Sequence, residues 1–156
     1  MLVGLAGLYA RQAKQMGWPG FVGFLMLSLS WWLQASFVFA ELFILPVLAT
    51  TAPQFVDSYL GIVNGSPGTM NIGALPVVYG VVGIFYLLGG FVFGLATIHA
   101  GVMPRWAAVL LASAALATVA AVLLPHELQR FAAVPMGVAL IWLGYALFGE
   151  RRNQAL

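Results

Sequence analysis

The stretch FVGFLMLSLSWWLQASFVFAELFILPVLA, residues 21–49, decides the fold class of this chain. Glu41 is its only ionisable residue, and the stretch exceeds the roughly 20 apolar residues that a helix needs to cross a bilayer core. A helix over residues 21–48 would be about 42 Å long, against a hydrocarbon core of about 30 Å. The segment must therefore tilt or leave the bilayer near its end, and Pro46 is the predicted kink or exit point.

Three further apolar segments are long enough to cross a bilayer, at about residues 75–98, 106–124 and 131–148. Of the 156 residues, 63% are hydrophobic and only 6% are charged, whereas soluble domains carry about 25% charged residues. Backbone groups in lipid must be satisfied within each segment, so the segments are predicted to be helices. The sequence thus predicts an all-α membrane protein, a single domain over residues 1–156 with four transmembrane helices in an antiparallel bundle.

Two regions outside these spans have their own patterns. Residues 50–73 form the predicted outer loop, in which Gln54 to Ile62 could form a short amphipathic helix at the interface. Met1 to Ala10 is predicted to be a short N-terminal apolar helix, only half a span long. We expect it either to lie on the cytoplasmic surface or to be the remnant of a longer helix.

The distribution of Lys and Arg predicts the orientation in the membrane. Under a four-span threading, five of the six Lys and Arg residues fall on one side: Arg11, Lys14, Arg105, Arg151 and Arg152. Arg130 alone falls on the other. The sequence therefore predicts a multi-pass protein of the cytoplasmic membrane with both termini cytoplasmic.

Several functional classes lack support in the sequence. The net charge of +2 is small and split between the two ends, which argues against nucleic-acid binding. The chain has no cysteine, no phosphate-binding glycine motif and no recognisable catalytic constellation, so we expect neither an enzyme nor a cofactor. His99 and His126 flank the third span, about 28 Å apart along a helix, so they are not predicted to share a metal.

The pattern resembles a group of uncharacterised bacterial polytopic membrane proteins. The resemblance rests on GLYARQA at residues 7–13, the long span with Glu41 and Pro46, and MPRWAAVLL at residues 103–111. Members of that group look like six-span proteins without an assigned activity, and this chain matches their C-terminal two-thirds. The resemblance implies no catalytic residue, and it favours the interpretation of Met1 to Ala10 as the tail of a longer helix.

Glu41 is the first candidate for a functional residue, because a charge in the hydrocarbon region costs about 2.5 to 3.5 kcal/mol at mid-membrane. Four residues of the first span share its helix face: Ser30, Gln34, Phe37 and Glu41. A matching stripe on the second span contains Tyr79, Gly83, Tyr86 and Gly90. The predicted antiparallel register pairs Glu41 with Tyr79, Phe37 with Gly83, Gln34 with Tyr86, and Ser30 with Gly90.

Small residues on the second span predict close helix packing. Gly83, Gly90 and Gly94 lie on the stripe, and Gly90 and Gly94 form a GxxxG pair. This pattern is typical of a dimerisation face or of packing within one chain, and with four helices available the second interpretation is favoured.

Two functions remain open on the sequence. The first is a structural or interaction protein, such as an accessory subunit of a membrane complex, whose partners are the lipid bilayer and other membrane subunits or a second copy. The alternative is a small proton-coupled transporter that uses the intramembrane polar face of Glu41, Gln34, Tyr79 and Tyr86. A cavity that reaches Glu41 would favour the transporter.

Overall fold

All regular structure in the described part of the chain is helical. In this computed structural model, the structure describes residues 1–66, 68–121 and 130–154. The helices are α1 (Leu2–Phe39), a π-helical turn (Ala40–Ile44), α2 (Leu45–Leu48), α3 (Pro53–Asn64), α4 (Leu75–Ala100), α5 (Arg105–Ala121), a 3-10 turn (Arg130–Ala133) and α6 (Val134–Gln154). The predicted end of the third span at residue 124 and His126 lie outside the described residues.

The first helix is not one straight rod, because the chain reverses at Gly17. Gly17 has φ 57° and ψ −154°, a left-handed conformation that glycine adopts without steric cost, and Pro19 follows it. The Tyr9 ring stacks on the Phe24 ring with centroids 4.7 Å apart. Fifteen residues would separate these rings by about 22 Å along a straight helix. Residues 2–16, here called the N-terminal arm, therefore run antiparallel to the helix that follows.

The N-terminal arm is packed into the protein rather than lying apart on a surface. Four residues at helical spacing are buried on one face: Leu5, Leu8, Gln12 and Met16. The arm also extends to Met16 rather than ending near Ala10. The expectation of a short N-terminal helix is confirmed, and one face of that helix contacts the rest of the chain.

The chain divides into two compact units. The first unit consists of residues 1–28 and 85–156, and the second of residues 29–84. In the described part of the first unit, the core contains the fully buried side chains of Leu27, Phe93, Leu111, Met136 and Leu143. Small residues let the helices of this unit approach closely: a Cβ placed on Gly94 would lie 2.8 Å from the backbone nitrogen of Ala112 on α5.

In the second unit, Pro46 changes the helical hydrogen bonding just before it. The turn Ala40–Ile44 is π-helical, and the Leu45 N–H donates to the Ala40 carbonyl. Pro46 has no N–H to donate, so a wider turn accommodates the missing bond. The predicted kink at Pro46 thus takes the form of a π turn, and the helix continues to Leu48.

The outer loop contains the short amphipathic helix that its sequence predicted. Helix α3 spans Pro53–Asn64, with proline in its first turn and Gly65 in a left-handed conformation just beyond its end. Ser58, Tyr59 and Gly61 are buried on one face. The predicted range of residues 54–62 lies inside this helix.

Two helical stretches are long and apolar enough to cross a membrane by length and composition, Leu2–Leu48 and Leu75–Ala100. The reversal at Gly17 leaves residues 18–48 as the uninterrupted part of the first. Shorter apolar helices cover Arg105–Thr118 and Val134–Gly149.

Candidate functional site

Glu41 lies in the π-helical turn of the second unit and is half-buried. Within the described residues, its carboxylate has neither a hydrogen bond nor an ion pair. Its negative charge nevertheless helps to raise the pKa of Tyr59. The carboxylate is therefore near an aromatic cluster but is not held by a specific donor.

Tyr59 connects α3 to the helix that precedes the π turn. Its side chain is 4% exposed, and its hydroxyl donates a hydrogen bond of 3.2 Å to the carbonyl oxygen of Phe37. The rings of Phe37 and Phe55 lie 5.8 and 6.2 Å from its own. Burial raises the pKa of Tyr59 above its ordinary value of 10.0, and the negative charge of Glu41 raises it further. Tyr59 thus remains a neutral hydrogen-bond donor at physiological pH.

The Tyr79 ring packs against the Phe37 ring. The two rings are 5.2 Å apart in an edge-on arrangement, a favourable geometry for aromatic pairs. No hydrogen bond joins Tyr79 to Glu41 in the described part of the chain. The predicted register had placed Phe37 opposite Gly83, four residues farther along α4, so that register is wrong by one helical turn.

Ser30, Gln34 and Tyr86 are the other polar residues of the predicted face. The Ser30 hydroxyl is buried and donates to the carbonyl of Val82 at 2.9 Å, which satisfies it without a partner side chain. Gln34 belongs to the second unit and Tyr86 to the first, and both are half-buried. Among the described residues, neither of these two side chains has a hydrogen bond. Glu41, Gln34 and Tyr79, the members of the predicted polar site that lie in the second unit, are therefore not linked to one another by hydrogen bonds.

A cavity of about 460 Å³ opens beside this cluster in the second unit. It lies between α3, the following loop and the start of α4, and its walls include Ser58, Asn71, Pro76 and Tyr79. The Ser58 hydroxyl accepts a hydrogen bond from the Met70 N–H at 3.0 Å, which holds the loop against α3. Glu41 is not part of the cavity wall. This cavity therefore does not reach Glu41, whereas a cavity that reached it would have favoured the transporter.

The three glycines predicted for helix packing differ in their surroundings. A Cβ at Gly90 would lie 2.9 Å from the terminal methyl of Met136 on α6 and 3.0 Å from Ala115 on α5. Gly94 is as close to the backbone of α5 at Ala112. Gly83 faces open space, so the prediction that it packs against another helix is wrong. The GxxxG pair therefore packs within the first unit.

The sequence reasoning missed a buried polar contact between the N-terminal arm and α4. The Gln12 amide is fully buried and donates to the Thr97 hydroxyl at 3.4 Å, while Thr97 donates to the Phe93 carbonyl at 2.9 Å. The Oε1 atom of Gln12 has no partner among the residues that the structure describes. Only the spacing of Gln12 with Leu5 and Leu8 could have indicated its burial.

One of the two histidines, His99, lies in the described part of the chain. His99 is exposed near the end of α4. In the described residues, no group of three or more His, Cys, Asp or Glu side chains could hold a metal ion. Comparison with known proteins gives no match, whether with family models, curated proteins or solved structures.

Proposed function

We propose that this chain is an integral, multi-pass membrane protein with a structural or interaction role, such as an accessory subunit of a membrane complex. The observation that carries the proposal is the apolar surface along its long helices. Large side chains are exposed there, among them Leu25, Trp32, Phe39, Phe43, Val77, Ile84, Leu88 and Leu95. Soluble monomers rarely expose apolar patches of this extent, whereas lipid or a partner subunit covers them favourably.

Four spans are proposed: residues 18–48, α4, α5 and α6. The Lys and Arg bias favours a cytoplasmic position for the turn at Gly17 and for the end of α6. Because the N-terminal arm runs back from Gly17, the cytoplasmic assignment applies to that turn and not to Met1. The resemblance to bacterial six-span proteins is compatible with this arrangement.

Membrane integration and topology have a direct test. The protein should stay with membranes after extraction at alkaline pH, and release into the soluble fraction would contradict the proposal. In intact cells, Asp57→Cys on the exposed side of α3 should react with an impermeant thiol reagent, and Asn153→Cys should be protected. The reverse labelling would invert the orientation.

The interaction role is tested by native electrophoresis and affinity purification in a mild detergent. We expect the protein to migrate with a partner subunit or with a second copy. A strictly monomeric protein that co-purifies with nothing but lipid would contradict this role.

A proton-coupled transporter remains the second candidate on one observation. Glu41 is a half-buried carboxylate in a π turn, a distortion that is frequent at functional sites. Proton-driven uptake into vesicles that disappears in Glu41→Gln, while the fold is retained, would favour the transporter over the structural role.

A further inference from the structure

The cavity between α3, the following loop and the start of α4 has the size of a small-molecule site. Its volume of about 460 Å³ falls within the range of known ligand pockets, roughly 300 to 1,000 Å³. Every residue that lines it belongs to the second unit. The apolar side chains of its wall are Ile62, Met70, Ile72 and Pro76. The cavity can therefore hold a molecule with a mainly apolar body.

The loop side of the cavity is already fixed against α3. The Ser58 hydroxyl accepts the hydrogen bond from the Met70 N–H at 3.0 Å, and a Cβ on Gly68 would clash with Ser58. A Cβ on Gly61 would likewise clash with the carbonyl oxygen of Ser66. A ligand therefore does not have to order this loop, and a pre-organised wall lowers the cost of binding.

The polar side chains that line the cavity are Ser58, Asn71 and Tyr79. The Ser58 oxygen accepts from Met70, and the Asn71 Oδ1 accepts from the Gly73 N–H at 2.9 Å. Within the residues that the structure describes, neither hydroxyl hydrogen nor the Asn71 amide N–H₂ is donated to a partner. The wall thus offers hydrogen-bond donors, which suit a ligand whose oxygen atoms accept hydrogen bonds.

The charges of the second unit favour an uncharged ligand. Residues 29–84 contain the carboxylates of Glu41 and Asp57 and no Lys, Arg or His. An anion in the cavity would find no basic partner in this unit. A cation would find no carboxylate among the described residues of the wall. Burial of an unpaired charge is costly, so an ion of either sign is disfavoured.

We propose that this cavity binds an uncharged, apolar molecule that carries carbonyl oxygens, as a quinone ring or a lipid ester does. Its carbonyl oxygens accept hydrogen bonds from the Asn71 amide and the Tyr79 hydroxyl. Its apolar body packs against Ile62, Ile72 and Pro76. This ligand site goes beyond the structural role proposed above and does not depend on it.

Three probes of similar shape separate recognition of the carbonyl oxygens from apolar binding and from charge. Menadione is an uncharged naphthoquinone, methylnaphthalene lacks acceptor oxygens, and naphthoate is an anion. Their binding to the purified protein in a mild detergent is measured by equilibrium dialysis against protein-free micelles, which removes differences in partitioning into detergent. Menadione should bind about tenfold more tightly than methylnaphthalene, and naphthoate should bind more weakly than menadione. The chain has no cysteine, so menadione forms no thiol adduct.

Two substitutions remove the donors singly. Tyr79→Phe keeps the ring that packs against Phe37, and it should weaken menadione about fivefold. Asn71→Asp keeps an oxygen for the Gly73 N–H but loses the N–H₂ donor, and it should weaken menadione at least as much. Neither should change the affinity for methylnaphthalene. Tyr86→Phe, on α4 but outside the cavity wall, is the matched control and should bind all probes normally.

The location of the site is tested by filling the cavity. Gly80 lines it, and a Cβ there would meet no atom within 4 Å. Gly80→Leu should therefore fold and should lose the saturable binding of both menadione and methylnaphthalene. Gly83→Leu, which also has open space around its Cβ but lies outside the cavity wall, is the control and should bind both.

A fourth probe, dioctanoylglycerol, carries ester carbonyls and identifies the source of the natural ligand. Tighter binding of dioctanoylglycerol than of menadione, with the same dependence on Tyr79 and Asn71, indicates a lipid ester, and the reverse order indicates a quinone. Four results would overturn the site: no saturable binding of either carbonyl probe, equal affinity for menadione and methylnaphthalene, tighter binding of naphthoate than of menadione, or equal menadione affinity in Gly80→Leu and Gly83→Leu. A protein without a partner subunit would contradict the interaction role and leave these affinities unchanged.

Discussion

Replacing Gly94 by alanine should separate two helices that now touch. The added Cβ would lie 2.8 Å from the backbone nitrogen of Ala112 and 2.9 Å from its Cα, and both atoms belong to the backbone of α5. Optimal contacts between carbon atoms are about 3.5 to 4.0 Å, so α4 and α5 must move apart by somewhat less than 1 Å. Overpacking of this kind costs about 1 to 3 kcal/mol.

Gly83→Ala is the matched control on the same helix. Its Cβ meets no atom within 4 Å, so it introduces no clash. Both substitutions gain about 1 kcal/mol of helix propensity, which cancels in the comparison. Gly83→Ala should therefore be more stable than Gly94→Ala by about 1 to 3 kcal/mol, and should equal or exceed the unmodified protein.

The assay is reversible unfolding in mixed micelles of a mild detergent and sodium dodecyl sulfate, followed by circular dichroism. Oligomeric state is measured on the same samples by light scattering. If the two variants have equal stability within about 0.5 kcal/mol, the close approach of α4 to α5 is wrong. If Gly94→Ala folds normally but dissociates a dimer, the GxxxG pair serves association between chains instead.

Three further substitutions test the polar residues, by the same unfolding assay. Tyr59→Phe should cost about 1 kcal/mol through loss of the bond to Phe37. Because the folded protein has a raised Tyr59 pKa, the unfolded tyrosine ionises first, so stability should fall as the pH rises above about 10. Tyr59→Phe should show a smaller alkaline decline than the unmodified protein, and an unchanged decline would refute the assignment. Gln12→Leu should be neutral or stabilising, since it removes an amide whose Oε1 has no partner within the described residues; a loss above about 2 kcal/mol would reveal one. Glu41→Gln should change stability by less than about 0.5 kcal/mol, and a larger loss would indicate a donor that binds the carboxylate.

Local sequence patterns predicted the elements of this chain well. The apolar run of residues 21–49, its Pro46 and the turn residues of the outer loop were sufficient to predict a long helix, a distortion and a short amphipathic helix. Each of these features depends on properties of a few neighbouring residues. Proline has no N–H to donate, glycine adopts a positive φ without steric cost, and apolar residues at helical spacing give a helix one face to bury. The structure has α3 within two residues of its predicted range and a π turn immediately before Pro46.

The pairing of helices was less predictable. Shifting one apolar helix by a turn against another exchanges similar residues for similar residues, so composition does not determine the register. The predicted contact of Glu41 with Tyr79 used polar matching, whereas the ring of Phe37 takes the place beside Tyr79 and the Tyr59 hydroxyl from α3 bonds to the Phe37 carbonyl. Helix α3 therefore contributes to the local arrangement around Phe37, and its contact with Phe37 could not be predicted from the sequences of the two paired helices alone.

The sequence by itself determined the helical class, the scarcity of charge and the bounds of α3 and α4 to within two residues. The tertiary structure alone decided that the chain reverses at Gly17 and that the N-terminal arm packs back into the first unit. Glycine permits a left-handed conformation without requiring it, so the reversal depends on packing: the buried face from Leu5 to Met16 finds partners only when the arm folds back. The same packing brings Gln12 of the arm to Thr97 of α4, 85 residues along the chain, because burial of apolar faces is non-directional and acts across any distance along the chain.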